Sequence, residues 1–199
     1  LNGTLLPCET IRLPNSEQIN KLPGYEDGLW WVQDFSAALA AKTLGSLAGK
    51  RVLDLCAAPG GKTAQLIAAG ADVTALDVSA ARLETLKSNL LRLKMSARII
   101  CADAVSYLKD FKDAPYDAVL LDAPCSATGT IRRHPELVHI KTAADVDKQV
   151  ALQKQILNVV GNAVKPGGKV VYCVCSLVPA EGERQMEDFL TAHPEFRTV

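Results

Sequence analysis

Residues 51–63 read Arg-Val-Leu-Asp-Leu-Cys-Ala-Ala-Pro-Gly-Gly-Lys-Thr, an apolar run followed by a turn of small residues. The run at 51–55 has the composition of a buried β-strand, and a helical pattern starts at Lys62. Small residues allow the backbone to approach a ligand closely, and the free N–H groups at a helix start attract negative charge. The stretch therefore predicts a strand, a ligand-binding turn and a helix.

The same strand-then-helix order continues along the chain, with aliphatic strands and with helical segments bounded by Ser, Pro or Gly. The predicted strands are Arg51–Leu55, Asp72–Leu76, Ala97–Cys101, Tyr116–Leu121 and Lys169–Cys175. The predicted helices are Gln33–Leu47, Lys62–Ala69, Ser79–Lys94, Ala104–Lys109, Ala143–Val164 and Ala180–Ala192. Right-handed crossovers between such strands give an α/β fold with a Rossmann-like, doubly wound, mostly parallel sheet. A sheet of this kind binds ligands beyond the carboxyl ends of its strands.

The composition excludes several classes of protein. Apolar residues make up 48% of the 199 residues, which suits one globular domain. The 22 basic and 22 acidic residues cancel, so charge alone does not indicate a nucleic-acid partner. No apolar run suits a membrane span and no signal-peptide pattern opens the chain, so a soluble cytoplasmic protein is expected. Six cysteines without a C-x-x-C pair predict reduced thiols and no metal.

Acidic residues follow three of the predicted strands, at Asp77, Asp103 and Asp122. A carboxylate after the second strand can accept both hydroxyls of a ribose, and one after the third can accept from an adenine amino group. Each acid taken singly also fits a helix cap. Together with the turn at 56–62, the three acids predict an adenosine ligand without phosphates. S-adenosylmethionine is such a ligand, and its carboxylate suits the helix start.

A phosphate-binding loop is the main alternative for the turn. The tripeptide Gly-Lys-Thr at 61–63 ends like the P-loop of nucleotide hydrolases, and Asp122 follows a strand as a magnesium-binding acid would. That pattern requires glycine where the chain has Cys56, however, and Pro59 interrupts the loop. A nicotinamide dinucleotide is disfavoured because the turn lacks G-x-G-x-x-G.

Two cysteines and one acid are predicted to meet at the ligand edge of the sheet. Cys125 follows the fourth strand, and Cys175 ends the fifth. Carbon 5 of a cytosine is too weak a nucleophile to take a methyl group unless a thiolate first adds to carbon 6. Asp122 can stabilise the charge that develops on the ring, and a second thiol can assist release. The residues alone leave open which cysteine attacks. The cysteines expected to be buried spectators are Cys8, Cys101 and Cys173.

Three motifs in order resemble the Sun/Fmu-type RNA cytosine-5 methyltransferases. They are CAAPGGKT at 56–63, DAPCSATG with the following IRRHPEL at 122–137, and VCSL at 174–177 with a Gly-Glu pair nearby. The resemblance implies S-adenosylmethionine as cofactor, Cys175 as the nucleophile and Cys125 as the residue that promotes product release, beside Asp122. The implied cofactor contacts are Cys56, Ala57, Ala58, Pro59, Gly60, Gly61, Lys62, Asp77, Arg82, Asp103 and Asp122.

The resemblance also implies RNA as the partner, with ribosomal RNA expected first and transfer RNA second. A monomer that needs neither membrane nor metal is expected, and the basic run at 132–134 is a candidate for phosphate contacts. Residues 1–32 are expected to be an appendage, the remnant of an N-terminal RNA-binding subdomain. Residues 33–199 are expected to form the catalytic domain without the family's last strand. A catalytically silent RNA-binding module with the same fold is the remaining alternative.

Overall fold

The computed structural model describes residues 3–7, 10–13 and 18–199, and Cys8, a predicted spectator, lies outside these ranges. The strands are β1 Thr4–Leu5, β2 Ile11–Arg12, β3 Arg51–Leu55, β4 Asp72–Asp77, β5 Arg98–Cys101, β6 Tyr116–Asp122 and β7 Val164–Cys173. The helices are α1 Phe35–Lys42, α2 Gly61–Ala68, α3 Ala80–Arg92, α4 Ala104–Lys109, α5 Leu137–Ile140, α6 Ala143–Val160 and α7 Glu183–Ala192.

Strands β3 to β7 form one sheet in the order β5-β4-β3-β6-β7, and every neighbouring pair is parallel. Strands β4 and β5 follow β3 on one side of the sheet, and β6 and β7 follow on the other side of β3. A doubly wound sheet has its ligand crevice where the strand order reverses, which here is between β3 and β6. The predicted α/β, Rossmann-like fold is therefore confirmed.

Apolar side chains cover both faces of the sheet. Val52 and Leu53 are neighbours on β3 and point to opposite faces, yet both are fully buried. Leu53 belongs to an apolar cluster with residues of α4, α6 and α7, whereas Val52 belongs to a second cluster with residues of α1 and α2. A strand buried in this way is a rigid base for the residues that follow its carboxyl end.

The predicted boundary between α6 and β7 is wrong. The helix ends at Val160, earlier than predicted, and the strand already begins at Val164. The Pro-Gly-Gly run at 166–168 is typical of a helix end, but here it lies inside β7, where a register shift against β6 accommodates it. The strand also ends at Cys173. Cys175 therefore lies in a loop beyond the sheet rather than on the strand.

The other predicted elements occur, with ends set by local caps. Asp34 and Ser79 accept hydrogen bonds from backbone N–H groups of the first turn, and so start α1 and α3. α1 ends at Lys42, well before the predicted position 47. α7 starts later than predicted because a single 3-10 turn at Pro179–Glu181 precedes it. The short hairpin β1-β2 and the short helix α5 were not predicted.

The described part of the N-terminal segment packs against α3. Arg92 donates hydrogen bonds from Nη1 to the carbonyl oxygens of Tyr25 (2.6 Å) and Trp30 (3.1 Å), and its guanidinium lies 3.9 Å from the centre of the Tyr25 ring. A Cβ on Gly28 would come within 2.0 Å of the Arg92 carbonyl oxygen. Trp31 packs against an apolar cluster of α2 and α3. Polar and apolar contacts together thus hold this segment on the domain.

Candidate active site

The turn at 56–62 has a backbone that bends sharply between β3 and α2. Cys56 has a φ of 61° and Gly60 a φ of 101°, both in the left-handed region, and the Ala58–Pro59 peptide bond is cis. A Cβ on Gly60 would lie 3.0 Å from Leu86 Cγ, so the turn is in close contact with α3. The turn therefore places the start of α2 at the crevice between β3 and β6.

Asp77, at the end of β4, ties this turn to the sheet. Its buried carboxylate accepts hydrogen bonds from the backbone N–H groups of Ala58 (3.1 Å) and Ser79 (3.0 Å). The guanidinium of Arg82 lies 3.4 Å from the same carboxylate and also donates to the Ala58 carbonyl oxygen. The structure thus brings together three predicted cofactor contacts, Ala58, Asp77 and Arg82.

Asp54, inside β3, is a buried acid that the sequence motifs did not single out. Its Oδ2 accepts from Thr63 Oγ1 at 2.6 Å, while Oδ1 has no hydrogen-bond partner in the part of the chain that the structure describes. Burial is the main cause that raises the pKa of Asp54 to about 7, and the charge of Asp122 adds to it while the Thr63 hydrogen bond opposes it. The sequence could have indicated this residue, because an acid is unusual within an apolar strand such as 51–55. The whole residue is enclosed within the protein.

Asp122, at the end of β6, lies between a cation and a thiol. Its Oδ2 is 2.8 Å from Lys62 Nζ, and its Oδ1 is 3.5 Å from the Cys173 sulfur. Burial lowers the pKa of Lys62, but the charge and hydrogen bond of Asp122 outweigh burial, so that the pKa is raised. Lys62 therefore stays protonated and fixes the position of Asp122.

Asp103 follows β5 and is exposed. It caps α4, because its Oδ1 accepts from the backbone N–H (2.8 Å) and the hydroxyl (2.9 Å) of Ser106. The cap uses one carboxylate oxygen, so a contact with an adenine amino group would fall to the other. That contact stays a prediction.

Cys125 and Cys175 lie side by side although 50 residues separate them in the chain, with their sulfur atoms 3.4 Å apart. The loop after β6 reaches the loop after β7, where the Gly129 N–H donates to the Cys175 carbonyl oxygen at 3.0 Å. A Cβ on Gly129 would lie 2.9 Å from that oxygen, so glycine is needed for the approach. The two predicted reacting cysteines are thus neighbours.

The contact between these two thiols lowers the pKa of Cys175 and raises the pKa of Cys125. The hydrogen bond from Cys125 is the main cause that lowers the pKa of Cys175 to about 7, and burial opposes it. The same hydrogen bond, followed by burial, raises the pKa of Cys125. Burial raises the pKa of Cys56 to about 12 and also raises the pKa of Cys173. Of these four thiols, Cys175 is the one that forms a thiolate near neutral pH.

The basic run at 132–134 follows the Cys125 loop and is exposed. Arg133 Nη1 is 3.8 Å from an oxygen of Asp34, and His134 Nδ1 is 3.1 Å from an oxygen of Glu136. Ion pairs between exposed side chains contribute little to stability. The run is therefore accessible to a polyanion.

Two of the cysteines expected to be buried spectators are not buried. Cys173 is half-buried, and its sulfur contacts Asp122 at the crevice. Cys101 is exposed rather than buried, because it is the last residue of β5, an edge strand of the sheet. Among the described residues, no three His, Cys, Asp or Glu side chains are grouped as metal ligands would be. Within the same residues, no helix combines the length and the apolar character that crossing a bilayer requires.

Comparison with known proteins gives a family match over most of the chain. The sequence model of the family described as 16S rRNA methyltransferase RsmB/F matches residues 41–199. Ribosomal RNA small subunit methyltransferase B of Pasteurella multocida is 43% identical over 192 residues, which cover 93% of this chain and 43% of the relative. The protein of the same name from Vibrio cholerae is 42% identical over 183 residues, which cover 91% of this chain and 42% of the relative. The chain thus spans less than half the length of these curated relatives.

Solved structures of methyltransferases share the fold. The structure of NSun6 from Pyrococcus horikoshii with SFG has a TM-score of 0.80 at 27% identity and covers 89% of this chain and 46% of that one. A methyltransferase homolog protein from the same organism has a TM-score of 0.75 at 32% identity and covers 92% of this chain and 57% of that one. The family match, the relatives and the shared fold agree, and the chain belongs to the RsmB/F family of 16S rRNA methyltransferases.

Proposed function

We propose that the chain transfers a methyl group from S-adenosylmethionine to carbon 5 of a cytosine in RNA, through a covalent bond between Cys175 and carbon 6. The thiol pair is the observation that supports the proposal best. Cys175 lies 3.4 Å from Cys125, and its pKa is lowered to about 7. A thiolate near neutral pH is what addition to a pyrimidine ring requires.

The residues at the crevice fit S-adenosylmethionine as the cofactor. The turn at 56–62 offers backbone N–H groups, and Asp77 at the end of β4 offers a carboxylate. The carboxylates of Asp77 and Asp122 suit an amino group or hydroxyls and would repel the phosphate chain of a P-loop hydrolase. The related NSun6 structure contains SFG, an analogue of S-adenosylmethionine. When bound, the cofactor supplies a methyl group on a positively charged sulfur.

The two cysteines and Asp122 have separate roles in the proposed reaction. The Cys175 thiolate adds to carbon 6, and carbon 5 then takes the methyl group. The carbon 5 proton leaves to a base, and its electron pair restores the double bond and expels the Cys175 sulfur. Cys125 donates a hydrogen bond to the departing sulfur, and Asp122 accepts from the exocyclic amine of the ring. Cys125 is thus proposed for product release and Asp122 for ring stabilisation.

Ribosomal RNA is the proposed substrate, because the curated relatives are named ribosomal RNA small subunit methyltransferases. Transfer RNA is placed second. Attack on carbon 6 requires an unstacked base, so the target is a loop nucleotide or one flipped out of a helix. The exposed run at 132–134 is proposed to contact RNA phosphates. The proposal includes a monomer that acts in the cytoplasm, with residues 1–32 as an appendage of the catalytic domain.

Methyl transfer from radiolabelled S-adenosylmethionine to ribosomal RNA tests the proposal. The unchanged protein is expected to label RNA, with 5-methylcytosine identified by mass spectrometry. Cys175→Ala is expected to lower the rate about a thousandfold or more, because the nucleophile is gone. The matched control is Cys101→Ala, which removes an exposed thiol at the end of β5 and should leave transfer unchanged.

Three outcomes contradict parts of the proposal. Transfer that survives in Cys175→Ala would exclude this residue as the nucleophile. Tight calorimetric binding of ATP with magnesium, and none of S-adenosylmethionine, would favour a P-loop hydrolase. A folded protein that binds the cofactor and RNA without any transfer would favour a silent RNA-binding module.

A further inference from the structure

Glu181 is a fully buried acid that the proposed chemistry does not use. It ends the 3-10 turn Pro179–Glu181 between β7 and α7. A carboxylate without solvent is costly unless hydrogen-bond donors surround it. The identity of its donors therefore indicates what the residue is for.

Both oxygens of Glu181 bind the loops that carry the two cysteines. Oε1 accepts from the Ser126 backbone N–H (2.8 Å) and from Gln153 Nε2 (3.1 Å). Oε2 accepts from the Ser126 hydroxyl and from the Ser176 hydroxyl, the latter at 2.5 Å. Ser126 directly follows Cys125, and Ser176 directly follows Cys175. One carboxylate thus joins the residues next to the two sulfurs.

Further hydrogen bonds hold this carboxylate and the two loops in one arrangement. The Tyr172 hydroxyl, on β7, donates to the Glu181 carbonyl oxygen at 2.5 Å. The hydroxyl of Thr128, on the Cys125 loop, lies 3.1 Å from that of Ser176 and accepts from the Leu177 N–H at 3.0 Å. The loops therefore meet around Glu181 through side chains as well as through Gly129.

Glu181 has the charge state that this arrangement needs. Burial alone raises its pKa, but the hydrogen bonds from Ser126, Ser176 and Gln153 outweigh burial and lower it. The carboxylate is therefore ionised near neutral pH and accepts at both oxygens. A glutamine in its place would present an NH₂ group to serine groups that already donate hydrogen bonds, so that two donors would face each other.

We infer that Glu181 is a positioning residue, which holds the Cys125 and Cys175 loops together and so sets the distance between their sulfur atoms. It does not touch the reacting atoms. The inference rests on the proposed function for its catalytic meaning, but the geometry that it explains can be measured without RNA.

Alkylation of Cys175 by iodoacetamide at a series of pH values tests the inference, with site-resolved mass spectrometry as the readout. In Glu181→Gln the sulfurs should separate, so that Cys175 loses the hydrogen bond that favours its thiolate. Its alkylation midpoint should rise from near pH 7, and its rate at pH 7 should fall about tenfold or more. Glu183→Gln changes an exposed glutamate two positions on and is the matched control, with an unchanged profile expected. Cys101 serves as the internal reference in each sample.

Ser176→Ala covers the case in which Glu181→Gln does not fold. It removes one hydroxyl donor and leaves the carboxylate with Ser126 and Gln153, and its alkylation profile should move in the same direction. An unchanged Cys175 profile in a folded Glu181→Gln, or in Ser176→Ala, would overturn the inference. Shifted profiles in a protein that methylates no RNA would sustain the role of Glu181 and reject the proposed function. In an active protein, Glu181→Gln should lower kcat with little change in KM for S-adenosylmethionine.

Discussion

A hydrogen bond between two thiols makes one of them a stronger acid at the expense of the other. In this chain the stronger acid is Cys175, whose pKa is lowered to about 7, and the weaker is Cys125. At pH 7 about half of the Cys175 side chains are then thiolate, compared with a few per cent for an ordinary cysteine. The proposed nucleophile is therefore available without a separate base.

Asp54 gives a residue-level prediction on stability. Its folded-state pKa is raised to about 7, so the stability gained from burying the neutral acid is complete below about pH 4 and is lost as the pH rises through 7. Each unit of pKa is worth about 1.4 kcal/mol, so the loss is roughly 4 kcal/mol by pH 8. Asp54→Asn should not show this loss.

Thermal or urea unfolding of the wild-type protein and of Asp54→Asn between pH 4 and pH 8 measures how the stability of each depends on pH. The free energy of unfolding should decline with pH more steeply in the unchanged protein than in Asp54→Asn. Asp72→Asn, at the exposed start of β4, is the control and should keep the slope of the unchanged protein. Parallel slopes for the unchanged protein and Asp54→Asn would mean that Asp54 is already ionised in the folded state.

Among the elements, the loops after β6 and β7 depend on one close backbone contact. A Cβ at Gly129 would meet the Cys175 carbonyl oxygen at 2.9 Å, so Gly129→Ala should push the loops apart. Misplacement of a reacting group by a fraction of an ångström lowers the rate, here by about tenfold. The measurement is methyl transfer together with the pH profile of Cys175 alkylation.

Gly161→Ala is the matched control for this change. Gly161 has helical backbone angles, and a Cβ there would make an ordinary contact of 3.4 Å with Phe196. Gly161→Ala should leave methyl transfer and the pH profile of Cys175 alkylation unchanged. Full activity in Gly129→Ala would show that the loops tolerate separation and that the short sulfur distance is not required.

The patterns of the sequence predicted the strands and helices better than their ends. The Pro-Gly-Gly run at 166–168 suggested a stop, but a register shift against β6 keeps it inside β7. Asp54 and Glu181 were not singled out from the sequence, for different reasons. Asp54 is a single acid in an apolar strand, whereas two of the partners of Glu181, Ser126 and Gln153, lie on distant segments that only the fold brings together.

In the whole molecule, the parallel arrangement of the strands explains why part of the candidate site could be predicted from the sequence. The carboxyl ends of β3, β4 and β6 meet at one edge, so the turn at 56–62, Asp77 and Asp122 were expected to be near one another. The direct contact between Cys125 and Cys175 did not follow from topology, because both lie in loops beyond the strands. Instead, the Glu181 carboxylate accepts hydrogen bonds from both loops, and the absence of a side chain at Gly129 allows their backbones to approach.

Location of the covalent bond to RNA decides whether Cys175 is the nucleophile. Cys125→Ala should slow product release, so that a protein–RNA adduct accumulates when ribosomal RNA and S-adenosylmethionine are present. After digestion with trypsin and nuclease, mass spectrometry should find a methylated cytidine nucleotide on the peptide 170–184, and fragmentation should place it on Cys175 rather than on Cys173. A nucleotide bound to any other cysteine, or methyl transfer that proceeds with no adduct in any variant, would contradict this assignment.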